Sequence, residues 1–299
     1  MGVWLLAIGR PEVTDDAEMS PSLTTSAAGR AYDFNRVVGG REIVYSANLA
    51  FGQDDDVYVV AKTLAALRIV SGDVLRLKIG AEPDDEEFIV SFREVNPGFF
   101  DESSLATVAV SPELDVYVTD ELRSFISVFD RDGKFMRNIG EPGTGPGQFD
   151  TPHGIAVSPD DEVYVADGVD HVVRKYATSG EQLQVLGSPG HPGLTDGPFN
   201  QPTCAVRSAY SGERFVSDGY RQNRIHRFSN DGDIRLSWGR GDRNQFDWEV
   251  SGVGEPLTGP GEFNTPHSVT VGEDDRVYVM DRSNHRIQTF DENGKYLSQ

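Results

Sequence analysis

Two histidines in this sequence sit in the same local setting, His153 in Thr-Pro-His-Gly and His267 in Thr-Pro-His-Ser. Each stands 14 residues before an aspartate, Asp167 or Asp281, that closes a Tyr-Val-x-Asp run. Imidazole is a common zinc ligand, and three histidines around an open fourth position make a catalytic centre. A matched pair is therefore a candidate half of a metal site. The competing reading is that Pro-His is a well-packed variant at a structural position. Cys204 is the single cysteine, so no internal disulfide and no thiolate cluster can form. It lies in a strand-like stretch and reads as a small packed side chain.

The elements that position these residues are repeats. An aromatic-Val pair recurs at Tyr58-Val59, Tyr117-Val118, Tyr164-Val165, Phe215-Val216 and Tyr278-Val279, at intervals of 59, 47, 51 and 63 residues. Asp120, Asp167, Asp218 and Asp281 follow the later four copies, and Ala61 takes that place in the first. Because this aspartate recurs, it is expected to bond turn backbone within its own repeat. Upstream of the aromatic-Val strand stands a Gly-Pro-Gly-x-Phe motif or a relative of it (Gly145–Phe149, Gly259–Phe263, Gly197-Pro198-Phe199) and an apolar strand such as Ile155-Ala156-Val157. Downstream, a third strand and a Gly turn (Asp132-Gly133, Ser179-Gly180, Asp231-Gly232, Asn293-Gly294) lead to a fourth. Four short hairpin-linked strands make one antiparallel blade, and blades that cannot cover both faces alone pack in a ring about a channel.

The pattern resembles the NHL repeat, with Asn284-His285-Arg286 and Asp170-His171-Val172 at the position that names it, so His171 and His285 are assigned structural roles. His191 and His226 fall in a loop and on a strand without an identified partner. The expected fold is one all-β domain over residues 1–299, an NHL-type β-propeller of six blades with five repeats evident in residues 44–299. Residues 1–43 and Lys295–Gln299 are candidates for completing the sixth blade, which would remove exposed sheet edges. A five-bladed ring is the alternative. Glu12–Gly29, rich in Ser, Thr and Asp, reads as a loop, and the insertion Gly241–Thr258, with Phe246 and Trp248, as a lid over the channel. In such a ring the start of each innermost strand opens on the channel mouth, so His153 and His267, two blades apart, are expected to converge there. A third ligand two blades further round falls on Ala47, where no histidine stands.

Bulk properties narrow the partners. A net charge of −21 repels phosphate backbones and anionic lipid, so neither nucleic acid nor a membrane surface is expected. Val3–Ile8 is too short for a signal-peptide core or a bilayer span, which favours a soluble, cytoplasmic chain. The expected partner is a small molecule or peptide at the channel mouth.

Over roughly residues 105–299 the chain resembles peptidyl-α-hydroxyglycine α-amidating lyase, through the run Val216–Arg224, the segment Gly259–His267 and the run Met280–Gln288. Ser-Asp-Gly-Tyr at 217–220 with Asn-x-Arg-Ile at 284–287 is more specific than the generic repeat. The resemblance implies cleavage to a peptide amide and glyoxylate, with zinc held by three histidines, a tyrosine base, an arginine and a structural calcium. His153 and His267 match two zinc ligands and Tyr220 the tyrosine. Glu121 stands where the family has its arginine, with Arg123 close by, and Pro202-Thr203-Cys204 departs from the family's Pro-Thr-Asp. Arg221 and Arg224 flank Tyr220 and are candidates for holding an anionic group, or are solvated cations paired with nearby acids. A propeller that binds a peptide, protein or small ligand without catalysis is the alternative function. A lactonase-type hydrolase ranks last, since no acidic and Asn ligand set aligns at the blade starts.

Overall fold

A computed structural model describes residues 24–27, 30–33, 46–53, 55–65, 68–79, 86–193, 198–239, 259–272 and 275–299. A strand pair β1 (Thr24–Ala27) and β2 (Arg30–Asp33) precedes five four-stranded antiparallel sheets. The first sheet is β3 (Ser46–Phe51), β4 (Asp56–Ala65), β5 (Arg68–Ile79) and β6 (Glu86–Ser91), followed by the short helix α1 (Phe92–Val95). The second is β7 (Leu105–Val110), β8 (Val116–Asp120), β9 (Phe125–Phe129) and β10 (Phe135–Ile139). A two-residue parallel pair, β11 (Glu141–Pro142) and β12 (Gln148–Phe149), leads into the third: β13 (Pro152–Val157), β14 (Glu162–Asp167), β15 (Val172–Ala177) and β16 (Gln182–Gly187). The fourth is β17 (Cys204–Arg207), β18 (Arg214–Asp218), β19 (Arg224–Phe228) and β20 (Ile234–Trp238). The fifth is β21 (Pro266–Val271), β22 (Val277–Asp281), β23 (Arg286–Phe290) and β24 (Tyr296–Ser298).

Each sheet is one repeat. The aromatic-Val strand is second in its sheet and buried on both faces, as in β8 and β18, where every residue is buried. Apolar clusters fill the seams between successive sheets. Tyr58 and Val60 meet Val108 and Val116; Tyr117 and Val128 meet Ile155 and Val163. Tyr164 and Val173 then meet Ala205 and Val216, and Phe215 and Ile225 meet Val269 and Val277. The innermost strands β3, β7, β13, β17 and β21 lie against one another in that order, as blades around an axis require. At the ends of these strands a cavity of about 300 Å³ is lined by all five, from Phe51 through Val110, Val157 and Val206 to Val271.

The repeat aspartates have the expected structural role. Asp167 accepts the backbone N–H groups of Asp150 and Thr151, Asp218 that of Asn200, and Asp281 that of Asn264, each in the segment entering its own inner strand. Asp120 accepts from Ser104, Leu122 and Arg123. His171 and His285 both take the left-handed conformation, at φ 58° and 53°, in the turn after that aspartate. The Nδ1 of His226 is 2.7 Å from Ser237 Oγ and its Nε2 lies 3.4 Å from Asp218 Oδ2, the partners that the sequence did not disclose.

Two expectations change. Tyr296–Ser298 pairs with β23 as the outer strand of the fifth sheet, so Lys295–Gln299 completes that blade and not a sixth. Within Glu12–Gly29, read as a loop, Thr24–Ala27 forms β1 and pairs with β2. Five blades are seen among the described residues. The Gly241–Thr258 lid and, apart from β1 and β2, the 1–43 segment lie outside the described residues. Among the described residues no helix is long and apolar enough to cross a membrane.

Candidate functional site

The register shows why matched histidines converge. Pro152 pairs with Asp167 and Pro266 with Asp281, each just before a bulge in the inner strand, so His153 and His267 occupy equivalent places at the channel mouth. Ser46 pairs with Ala61 in the same way, which puts Ala47 at the equivalent backbone position of the first blade. In the fourth blade the inner strand has no bulge and Thr203 follows the proline.

A series of bonds between blades fixes this rim. The Thr119 hydroxyl donates to the His153 carbonyl at 2.8 Å, and His153 Nδ1 lies 2.9 Å from the Thr203 carbonyl. The Thr203 hydroxyl lies 2.9 Å from the carbonyl of Pro266, the residue before His267. A carbonyl has no proton to give, so Nδ1 of His153 carries one. This is the second-sphere arrangement that orients metal-binding imidazoles.

Both Nε2 atoms meet the same group. The Tyr220 hydroxyl is 2.8 Å from His153 Nε2 and 3.0 Å from His267 Nε2, and the two imidazole centroids are 4.7 Å apart. One phenolic proton cannot serve two lone pairs. With Tyr220 donating to His153, His267 must donate to Tyr220 from Nε2, unless a cation takes the proton's place. Tyr220 is 42% exposed overall, yet its hydroxyl points into the cluster. Burial pushes its pKa up to about 12, the nearby Glu121 carboxylate adds to the rise, and Arg282 acts in the opposite direction.

Close backbone approach sets the spacing. A Cβ on Gly154 would overlap the Thr203 carbonyl oxygen, and one on Gly219 would overlap the Pro266 carbonyl oxygen. The residue beside His153 and the residue before Tyr220 are thus both glycines because neighbouring blades touch there.

The remaining candidates divide. Glu121 Oε1 lies 3.7 Å from His153 Nε2. Arg123 is drawn away: its Nε donates to Asp120 at 2.5 Å, its Nη1 to the Phe99 carbonyl, and its guanidinium stacks on Phe99 and Phe125. Arg221 exerts its charge on His171, and Arg224 begins β19 opposite Asp218. Arg282, which sequence reasoning missed, is the cation beside Tyr220. It directly follows Asp281, as Glu121 directly follows Asp120, and that repeat position is the signal that identifies it. Cys204 is fully enclosed, and burial raises its thiol pKa, which suits a packed side chain.

His153 and His267 could hold a divalent cation through Nε2, with the Tyr220 oxygen as a further donor; two imidazoles and oxygen suit zinc. Among the described residues no group of three or more His, Cys, Asp or Glu side chains is placed to hold a metal ion.

Comparison with known proteins agrees with the fold. A family model described as a 6-bladed beta-propeller matches residues 105–186, and the NHL repeat model matches residues 263–290. Peptidylglycine alpha-amidating monooxygenase of Rattus norvegicus is 39% identical over 100 residues, 33% of this chain and 9% of that protein. Peptidyl-glycine alpha-amidating monooxygenase B of Xenopus laevis is 36% identical over 110 residues, 36% of this chain and 11% of that protein. Peptidyl-alpha-hydroxyglycine alpha-amidating lyase 1 of Drosophila melanogaster is 34% identical over 120 residues, 37% of this chain and 21% of that protein. The match thus spans about a tenth of the monooxygenases and a fifth of the lyase. Among solved structures, a nidogen/laminin complex chain superposes with a TM-score of 0.58 at 15% identity, covering 89% of this chain and 82% of that one. Virginiamycin B lyase from Staphylococcus aureus gives 0.55 at 12% identity, covering 85% and 69%. Identities this low speak for the fold alone. The chain is an NHL-type β-propeller with sequence similarity to the amidating enzymes.

Proposed function

We propose that the channel mouth is a metal-assisted lyase centre acting on a carbinolamide of the peptidyl-α-hydroxyglycine type. The observation that carries this reading is the convergence of His153 Nε2 and His267 Nε2 on the hydroxyl of Tyr220. A divalent cation held by the two histidines would supply charge to polarise the substrate's hydroxyl oxygen. Cleavage of such a substrate is not a redox step. The C–N bond breaks, the hydroxyl carbon becomes the aldehyde of glyoxylate, and one proton moves from the hydroxyl oxygen to the departing amide nitrogen. Those two atoms share one carbon, so a single side chain that takes a proton and returns it suffices. Tyr220, whose hydroxyl lies between the Nε2 atoms of His153 and His267, is that side chain. Arg282 beside it is placed to meet the substrate carboxylate.

A second reading, a propeller that binds a ligand without turning it over, draws on the raised pKa of Tyr220. A phenol pushed up to about 12 stays protonated at neutral pH even with Arg282 beside it, so it can take a proton only if a further cation lowers that value. Metal content separates the two. Protein purified without a histidine tag is expected to carry about one divalent ion per chain, lost in the His153→Ala, His267→Ala double variant, and to release glyoxylate from a peptidyl-α-hydroxyglycine. Absence of metal and of glyoxylate in the parent protein would leave the binding module as the reading.

A further inference from the structure

We propose that the site selects peptides with an apolar residue before the α-hydroxyglycine, and that Leu122 and Val169 form the surface on which that side chain lies. This deepens the lyase reading given above and rests on it.

The turns after the blade aspartates show which residues surround the mouth. Each holds a residue in the left-handed conformation: Ser124, His171, Asn223 and His285, at φ 56°, 58°, 55° and 53°. Three places before it stand Glu121, Gly168, Tyr220 and Arg282. These four share one backbone bond. Their N–H groups donate to the carbonyls of Ser104, Thr151, Gln201 and Thr265, at 2.9, 3.0, 3.5 and 3.3 Å, in the segment entering the inner strand of the same blade. They are therefore equivalent, and the fourth turn takes in one extra residue, Gly219, to bring Tyr220 to that place. Three of the four meet at the site. The Tyr220 hydroxyl lies between the histidines, Arg282 acts on it, and Glu121 faces His153. The other, Gly168, adds no side chain.

One place further along each turn stand Leu122, Val169, Arg221 and Ser283. The rim is thus divided. On the second and third blades it is apolar, with Leu122 60% and Val169 43% exposed. On the fourth and fifth it carries Arg221, Arg282 and Ser283. A single exposed apolar residue is ordinary on a protein surface, but two at equivalent positions of adjacent blades beside a site make a contact surface. The substrate's own geometry supplies the direction. Its reacting carbon bears both the carboxylate and the amide nitrogen, which diverge at a tetrahedral angle. With the carboxylate held toward Arg282 of the fifth blade, the peptide leaves on the opposite side, across the third and second blades. Gly168 sets no side chain in that path, and Val169 and Leu122 border it. An apolar side chain gains there by covering both residues, while the Glu121 carboxylate repels an acidic one.

The test measures kcat/KM for glyoxylate release by the full chain from three substrates. These are N-acetyl-phenylalanyl-α-hydroxyglycine, N-acetyl-glutamyl-α-hydroxyglycine and N-acetyl-α-hydroxyglycine, which has no residue at that place. The parent chain is expected to prefer the phenylalanyl substrate to the other two by about 10-fold or more, the discrimination an apolar contact supplies. Leu122 and Val169 are exposed, so the Leu122→Asn, Val169→Asn double variant should melt as the parent does. It should lower the phenylalanyl-to-acetyl ratio of kcat/KM by about 10-fold, chiefly by raising KM for the phenylalanyl substrate. A ratio taken on one preparation cancels any general loss of active protein. An unchanged ratio in the double variant, or a parent that turns over the phenylalanyl and glutamyl substrates alike, would overturn the assignment and leave the lyase standing. No glyoxylate from any of the three substrates would remove the lyase reading itself, and this inference with it.

Discussion

At the residue scale the site is a problem in placing protons. Tyr220, His153 and His267 share fewer protons than they have hydrogen-bonding positions, and the Thr203 carbonyl has fixed one of them on His153 Nδ1. Tyr220→Phe removes the hydroxyl and leaves both rings in place. If Tyr220 handles the proton, glyoxylate release should fall by about 10²–10⁴-fold, the usual contribution of a positioned acid–base group. Zinc affinity should change far less, because both imidazoles remain. A parallel loss of affinity and turnover would make Tyr220 a ligand and not the proton carrier. Measured as kcat and as metal Kd on the same preparations, the two outcomes separate cleanly.

At the element scale, the interval between blades does as much as any side chain. Gly154 lies against Thr203, and Gly219 lies against Pro266, with no room for a Cβ at either place. Gly219→Ala should move the Tyr220 turn away from His267 and cost about 1–3 kcal/mol, the range for forcing extra atoms into a packed seam. Thermal melting would record the cost, and weaker zinc binding would show that the displacement reaches the site. The blade aspartates allow a test by pH. Burial raises the pKa of Asp167 to about 6, against the pull of the backbone N–H groups of Thr151 and Asp150 and of Arg174. Between an unfolded value near 4 and this folded value, the native state holds more protons than the unfolded chain. The contribution of Asp167 is therefore fully present below the unfolded pKa and is lost as pH rises through about 6. Asp167→Asn should flatten the stability profile between about pH 4 and 6 relative to the parent chain, as read by melting temperature. An unchanged difference between the two proteins across that window would show that the carboxyl is not shifted. The repeat, its strand order and the equivalence of His153 and His267 were all legible in the sequence, since spacing in a repeat maps directly onto position in a blade. Other features depend on contact between blades: that Arg282 of the fifth blade stands beside Tyr220 of the fourth, and Glu121 of the second beside His153 of the third, follows from how neighbouring blades dock and not from repeat position alone.

At the scale of the whole molecule the strongest influence is the net charge of −21 over the full chain. Like charges on a compact body repel, and unfolding separates them, so this charge opposes folding. Added salt shortens the screening length from about 10 Å at 0.1 M to about 3 Å at 1 M, which weakens repulsion between exposed carboxylates across the surface. The attractive pairs are less affected where they are buried. Arg174 contacts Asp170 and lies 3.6 Å from Asp167, with all three side chains enclosed, and Arg76 is 2.7 Å from a buried Asp56. Screening should thus remove more repulsion than attraction, and the melting temperature should rise with sodium chloride. A gain of roughly 1 kcal/mol would raise it by about 2–4 °C in a domain approaching this size. A melting temperature that falls with salt would mean that partly exposed ion pairs such as Arg207–Asp160, at 2.8 Å, outweigh the net charge. The same measurement with zinc present adds a further check. An ion that binds only the folded chain stabilises it in proportion to the logarithm of its concentration over its dissociation constant, so the zinc-dependent shift should vanish in the His153→Ala, His267→Ala variant while the salt-dependent shift persists.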